Sequence, residues 1–231
     1  NKDNMYIERQ ITKIIKSYLQ KNKIIILYWA RQVWKTTLAK EIFSDKNYLY
    51  INWDEIDIQQ RFLDITKSNI DSIVTKNNYI IIDEAQKIKN IGTILKIIHD
   101  YYPDKKIIAT WSSSFDLANI INEPLTWRKI EFSLFPFSIS ELKNFYNPLE
   151  LPSKSKQSLI TWLYPEIITS QDPEILYELA NNYLYKDILS FNKIKKSDYL
   201  VKLLQSLALQ IGNEVSFNEL WEQCGLHPDT V

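Results

Sequence analysis

Residues 27–43 read LYWARQVWKTTLAKEIF, and the fold turns on nine of them. A phosphate-binding loop carries the pattern G-x-x-x-x-G-K-[ST] between a buried strand and a helix. Trp29, Ala30, Arg31, Gln32, Val33, Trp34, Lys35, Thr36 and Thr37 keep that spacing, the lysine and the threonine, but tryptophan stands at both glycine positions. The run before the loop, Lys23–Tyr28 (KIIILY), has the β-branched content of a fully buried strand, and Thr36–Phe43 reads as a helix.

Outward from the loop, strands alternate with helices. An amphipathic helix is expected over Met5–Leu19, where Ile7, Ile11, Ile14, Ile15 and Leu19 recur at helical spacing. Tyr48–Asn52 is a second expected strand, Asn78–Glu84 a third, Lys105–Thr110 a fourth and Lys129–Leu134 a fifth. Helices are expected over Ile56–Val74 and Asn90–Tyr102 between them. Such alternation implies βαβ units, hence a parallel sheet covered on both faces in a three-layer αβα architecture. After Pro136 the character changes. Ser138–Phe145 reads as a short helix, the Pro148, Pro152 and Ser153–Ser158 stretch as a linker, and Pro173–Ile188, Tyr199–Gln210 and Phe217–Gln223 as helices. The expected division is 1–150 for the α/β part and 151–231 for a helical segment.

The residues around the loop suit phosphate chemistry. Backbone N–H groups at a helix N-terminus face an anion, and the helix dipole favours it. Lys35 would reach the β- and γ-phosphates of a nucleotide, Thr36 would bind Mg²⁺ through its hydroxyl, and Thr37 could support the α-phosphate. A buried strand later delivers Asp83 and Glu84 (IIIDE) to the sheet edge where ligands of open α/β sheets bind. Asp83 suits a carboxylate for Mg²⁺, and Glu84 a general base orienting the attacking water. Alone, K-T-T is a common tripeptide and a strand ending in Asp-Glu is often a strand meeting solvent. Their joint occurrence, in order and on the right elements, is far more specific.

With these residues the chain resembles the bacterial and archaeal AAA-type ATPases that join an N-terminal P-loop domain to a C-terminal domain of unknown function. The likeness runs over nearly the whole chain. Trp29–Thr37 matches a G-x-R-Q-V-G-K-T-T loop apart from its glycines, and Tyr79–Lys87 matches a Y-I-x-x-D-E-A/I-Q-K segment. Thr110–Ser113 matches T-G-S-S, Leu125–Arg128 matches L-x-G-R, and Trp162–Glu166 matches G-x-Y-P-E. The resemblance implies ATP and Mg²⁺ as ligands, ATP hydrolysis, a homo-oligomer as one possibility, and a further C-terminal domain. It also implies a polar γ-phosphate sensor near Thr110 and Ser112, and an arginine, Arg128, that senses phosphate in its own or a neighbouring subunit. The bland alternatives are a plain loop serine and a surface ion pair. Arg31 is expected to make a local structural contact.

Every departure from the family pattern is a glycine written as tryptophan: positions 29, 34, 111, 127 and 162, with Trp221 a further candidate and Trp53 a less clear one. The chain holds 3 glycines and 7 tryptophans, where average usage of about 7% would give roughly sixteen glycines. Glycine in such a loop supplies positive φ and lets N–H groups approach phosphate. A tryptophan there adds backbone strain of roughly 1–3 kcal/mol to a domain of about 5–15 kcal/mol net stability. Three readings compete. In the first, the codon UGA, glycine in some bacterial lineages, has been read as tryptophan; the Ile-, Lys- and Asn-rich composition suits the AT-rich genomes where this occurs. The second is a pseudo-ATPase that has lost nucleotide, although Lys35, Thr36, Asp83 and Glu84 are intact. The third is deliberate mutagenesis. The pattern favours the first, which UGG codons at these positions would refute.

Bulk composition excludes little else. Hydrophobic residues make up 45%, charged residues 24%, and the formal net charge is zero, so no overall charge draws the chain to nucleic acid or anionic lipid. The apolar runs are too short to span a bilayer, no signal-peptide core precedes them, and the chain begins at Asn1, the expected mark of a trimmed sequence. Cys224 is the lone cysteine, which fits a reducing compartment and a cytoplasmic location. His99 and His227 have no metal-ligand companions. Tyr199–Val231 resembles the opening of a winged helix-turn-helix, with Ser216 capping a helix at Phe217 and Pro228–Asp229 where another could start. Such a segment could meet DNA or a protein partner. The few basic residues in and just before it, mainly Lys195, Lys196 and Lys202, give no support to DNA binding.

Overall fold

The structure, a computed structural model, describes residues 6–28, 32–55, 58–59, 70–71, 74–112, 125–170, 172, 174–182 and 197–225. The chain divides into two compact units, Asn1–Gln171 and Asp172–Val231.

In the first unit, helix α1 (Thr12–Gln20) leads into β1 (Ile24–Tyr28), then α2 (Lys35–Ile42), β2 (Tyr48–Asn52) and β3 (Tyr79–Asp83). After a single 3-10 turn at Ala85–Lys87 come α3 (Ile91–Tyr101), β4 (Lys106–Trp111) and β5 (Lys129–Ser133). The five strands form one parallel sheet in the order β2-β3-β4-β1-β5. Successive strand residues alternate faces, and because all interior strands are buried on both sides the two faces read as a continuous apolar run. Ile24, Ile26, Ile80, Ile82, Ile107 and Ala109 share one face and cluster with Ile91, Ile94, Leu95 and Ile98 of α3. Ile25, Leu27, Ile81 and Ile108 point to the other, where α1 and α2 pack. The three-layer αβα arrangement expected from the alternating pattern is present.

Several elements differ from the expected ones. The N-terminal helix starts at Thr12, not Met5, because the preceding residues are anchored elsewhere. Ile7 packs with Phe137, Leu142 and Ile168, and Arg9 pairs with Glu141 at 3.1 Å. The 153–158 stretch is no linker but lies within α5 (Leu151–Thr161), which follows a short α4 (Ile139–Leu142). Pro152 sits in the first turn, where its missing N–H costs nothing. Ser153, Ser155 and Ser158 turn their hydroxyls back onto carbonyls of the preceding turn. Helix α6 (Pro165–Ser170) closes the unit. The expected 56–74 helix lies mostly outside the described residues.

The second unit contains α7 (Glu174–Asn182), α8 (Ser197–Leu209) and α9 (Phe217–Cys224). Asp172 accepts the Glu174 N–H at 2.9 Å at the start of α7. Helices α8 and α9 pack together, burying Leu220 and Cys224, with Ser206 beside the thiol. The continuation at Pro228 and Asp229 that a winged helix would need lies outside the described residues.

Candidate nucleotide site

Chain crossing from β1 through α2 runs to the far edge strand β2, while the partners of β1 in the sheet are β4 and β5. The C-terminal end of β1 is thus a point where connections leave in opposite directions, which opens a crevice at the sheet edge. Positions 29–31 of the loop lie outside the described residues. Gln32 and Trp34 both have positive φ, 60° and 64°. Trp34 is left-handed (ψ 38°), and its carbonyl accepts the first helical hydrogen bond, from Leu38 N–H at 2.9 Å. A left-handed residue directly before the lysine is what the motif's second glycine provides. The indole meets Phe137 edge-on, with ring centroids 5.6 Å apart. Val33 is fully buried, Lys35 is buried as the first residue of α2, Thr36 is half-buried, and Gln32 and Thr37 are exposed.

Strand register brings the acids to this helix. Ile82 pairs with Ala109, so Asp83 stands level with Thr110. Asp83 accepts hydrogen bonds from Thr36 (2.8 Å), Tyr50 (2.7 Å) and Thr110. The Tyr50 hydroxyl is pushed well above its ordinary pKa, first by burial and then by its bond to the Asp83 carboxylate, so it remains a donor. Glu84 follows at φ 53°. Its backbone N–H donates to Thr110 Oγ1 at 3.1 Å, and its carboxylate accepts from Ser112 and Gln86. The sequence-predicted Lys35, Thr36, Asp83, Glu84 and Ser112 are therefore gathered at one edge of the sheet.

Two of the expected residues are engaged with other side chains. Thr110 is fully buried, and its hydroxyl lies between Asp83 and Glu84, so it braces the acids. Arg128 lies at the opposite end of β1: its carbonyl accepts the Ile24 N–H at 2.9 Å. Five strand residues at about 3.3 Å each separate that end from the loop, too far for a side chain to reach the phosphates of its own site. Instead Arg128 makes a two-pronged pair with Asp100 (2.7 and 2.9 Å) and stacks over Trp127. Sequence reasoning missed Tyr50. Its only trace is its place two residues before the end of the second strand.

Residues 21–143, more than half of the chain, match the sequence profile of an AAA domain. The chain belongs to the AAA domain family. Behind this AAA domain, residues 154–231 match a domain of unknown function. The fold is similar to that of a Walker-type ATPase of Pyrococcus abyssi, with TM-score 0.58 and 14% identity over 94% of this chain and 89% of that one. The AMPPCP-bound DnaA of Aquifex aeolicus has TM-score 0.47 and 16% identity, covering 100% and 88%. The Holliday junction branch migration motor RuvB of Thermotoga maritima has TM-score 0.46 and 16% identity, covering 95% and 83%. No curated protein matches the chain. The AAA domain has the P-loop ATPase fold, which is a nucleotide-binding fold.

Proposed function

We propose that this AAA domain, with glycine in place of Trp29 and Trp34, binds ATP with Mg²⁺ and hydrolyses it to drive a conformational change in a protein or nucleic-acid partner. The observation that carries the reading is the bond from Thr36, second residue of the helix after the loop, to Asp83 at the end of β3. It places a hydroxyl and a carboxylate side by side, next to Lys35, as an all-oxygen donor set suited to a hard divalent cation. Thr36 and Asp83 would hold Mg²⁺, which when bound neutralises phosphate charge. Lys35 and the helix N-terminus would take the β- and γ-phosphates. Glu84 would orient the attacking water once its carboxylate leaves Ser112 and Gln86.

Position 34 decides whether this chain does so as written. The left-handed backbone is already the one a phosphate loop uses, but an indole, here packed against Phe137, stands where the motif has no side chain. A nucleotide-free scaffold on the same fold is the second reading, and the tryptophans at 29 and 34 are what favour it. Calorimetric titration with Mg·ATP separates the two. The chain as written is expected to show no measurable affinity, and a Trp29→Gly, Trp34→Gly variant to bind. Should the variant also ignore Mg·ATP, the scaffold reading stands.

Arg128 can serve hydrolysis only from a second copy, after release from Asp100. In the glycine variant, Arg128→Ala is then expected to lower turnover about 10³-fold or more while leaving nucleotide affinity unchanged. Equal turnover in the two proteins would remove Arg128 from the reaction.

A further inference from the structure

Asp83 is held by the strands on both sides of it as well as by the loop helix. In the parallel register Tyr50 lies beside Ile81, two residues before Asp83, and alternation puts Tyr50, Asp83 and Thr110 on one face. A phenol is long enough to cross the diagonal between neighbouring strands, and the Tyr50 hydroxyl reaches Asp83 Oδ2 at 2.7 Å. On α2, Lys40 stands one turn beyond Thr36 on the same side, with its ammonium 4.0 Å from the Tyr50 ring centroid. That cation–π contact fixes the ring over the sheet.

The three hydroxyls on Asp83 are not equivalent. Thr110 is committed twice, donating to Asp83 Oδ1 and accepting from Glu84 N–H. Thr36 also donates to Oδ1 but belongs to the phosphate loop, and its oxygen keeps lone pairs for a cation. Among the described residues Tyr50 alone holds Oδ2. A carboxylate rotates over a broad, roughly two-fold torsion, so a donor on the second oxygen is needed to keep the first aimed at Thr36.

We propose that Tyr50, clamped by Lys40, is a positioning residue that fixes the rotation of the Asp83 carboxylate and thereby sets the affinity of the nucleotide site for its divalent metal. It rests on the nucleotide reading above. Tyr50 touches no reacting atom. Its effect passes through Asp83, as with outer-shell partners of metal ligands generally.

The test uses the full chain carrying Trp29→Gly and Trp34→Gly as parent, with Tyr50→Phe and Lys40→Met added singly. ADP affinity is measured by calorimetry without metal, and Mn²⁺ affinity of the ADP complex by electron paramagnetic resonance. Tyr50→Phe is expected to leave metal-free ADP binding within about twofold of the parent and to weaken Mn²⁺ binding about 10–100-fold. Lys40→Met should give a smaller loss of the same kind. Unchanged Mn²⁺ affinity in folded Tyr50→Phe overturns the proposal, as does a parallel loss of metal-free ADP binding, which would mark general structural damage. A parent that binds neither ADP nor Mn²⁺ overturns the nucleotide reading itself and takes this assignment with it.

Discussion

At position 162 the backbone sits at φ 62°, ψ 179°, a region that only glycine occupies without strain. Its side chain is mostly exposed, tilted against Tyr164, so little packing offsets that cost. Trp162→Gly is expected to raise stability by about 1–3 kcal/mol, read as a higher urea midpoint with an unchanged slope. No gain would mean that the indole's contacts outweigh the strain. Trp34 is left-handed as well. Trp111 is fully buried, and its indole N–H has no partner among the described residues, which costs roughly 1–3 kcal/mol for a buried donor. Positions picked out in the sequence as displaced glycines thus include two where the backbone asks for glycine. The phosphate-loop lysine, the threonine and both acids were legible because their chemistry is written in their identity and order. Tyr50 was not, since a tyrosine on a strand has no distinguishing neighbour in the sequence; only the register of β2 against β3 gives it meaning.

Among the elements, the segment before α1 shows where periodicity misleads. Ile7 continues the helical spacing of Ile11, Ile14 and Ile15, yet it is drawn into the cluster around Phe137. The cause is Arg9, buried against Glu141, donating to the Phe135 carbonyl and lying over the Phe137 ring. Burial pulls the guanidinium below its ordinary pKa, and the Glu141 charge opposes this. Glu141 also accepts from the Gln10 and Ser138 N–H groups, closing the cap of α4. A buried pair broken on one side leaves an uncompensated charge. Glu141→Leu is therefore expected to cost about 3–5 kcal/mol, while Arg9→Met with Glu141→Leu recovers much of it; a thermal-melt double-mutant cycle reads both. At the far end of the sheet, Asp100 is held below the usual carboxylate range, first by its hydrogen bonds from Arg128 and then by His99. Since the folded state lowers this pKa, the contribution is present above the unfolded value near pH 4 and fades as pH falls through the folded one. Asp100→Asn should flatten the acid limb of stability there. An acid limb identical to the parent's would show that the pair adds nothing.

At the scale of the molecule, the fold class and the five strands of the described residues followed from alternation and from apolar strand content, because a sheet buried on both faces leaves the same mark whichever order its strands take. Strand order did not, since pairing of β1 with β4 and β5 is decided by packing over long separations. Among the described residues no helix is long and apolar enough to cross a membrane. The central position of β1 has a consequence for biosynthesis. Ile24–Tyr28 pairs only with Lys106–Trp111 and Lys129–Ser133, so the strand that carries the phosphate loop leaves the ribosome long before either neighbour exists. Pairing across such separations is slow and leaves apolar edges waiting. Stalled nascent chains should become protease-resistant around β1 only once residue 133 has cleared the exit tunnel. The loop that would take nucleotide is, in order of assembly, among the last features of its sheet to be completed.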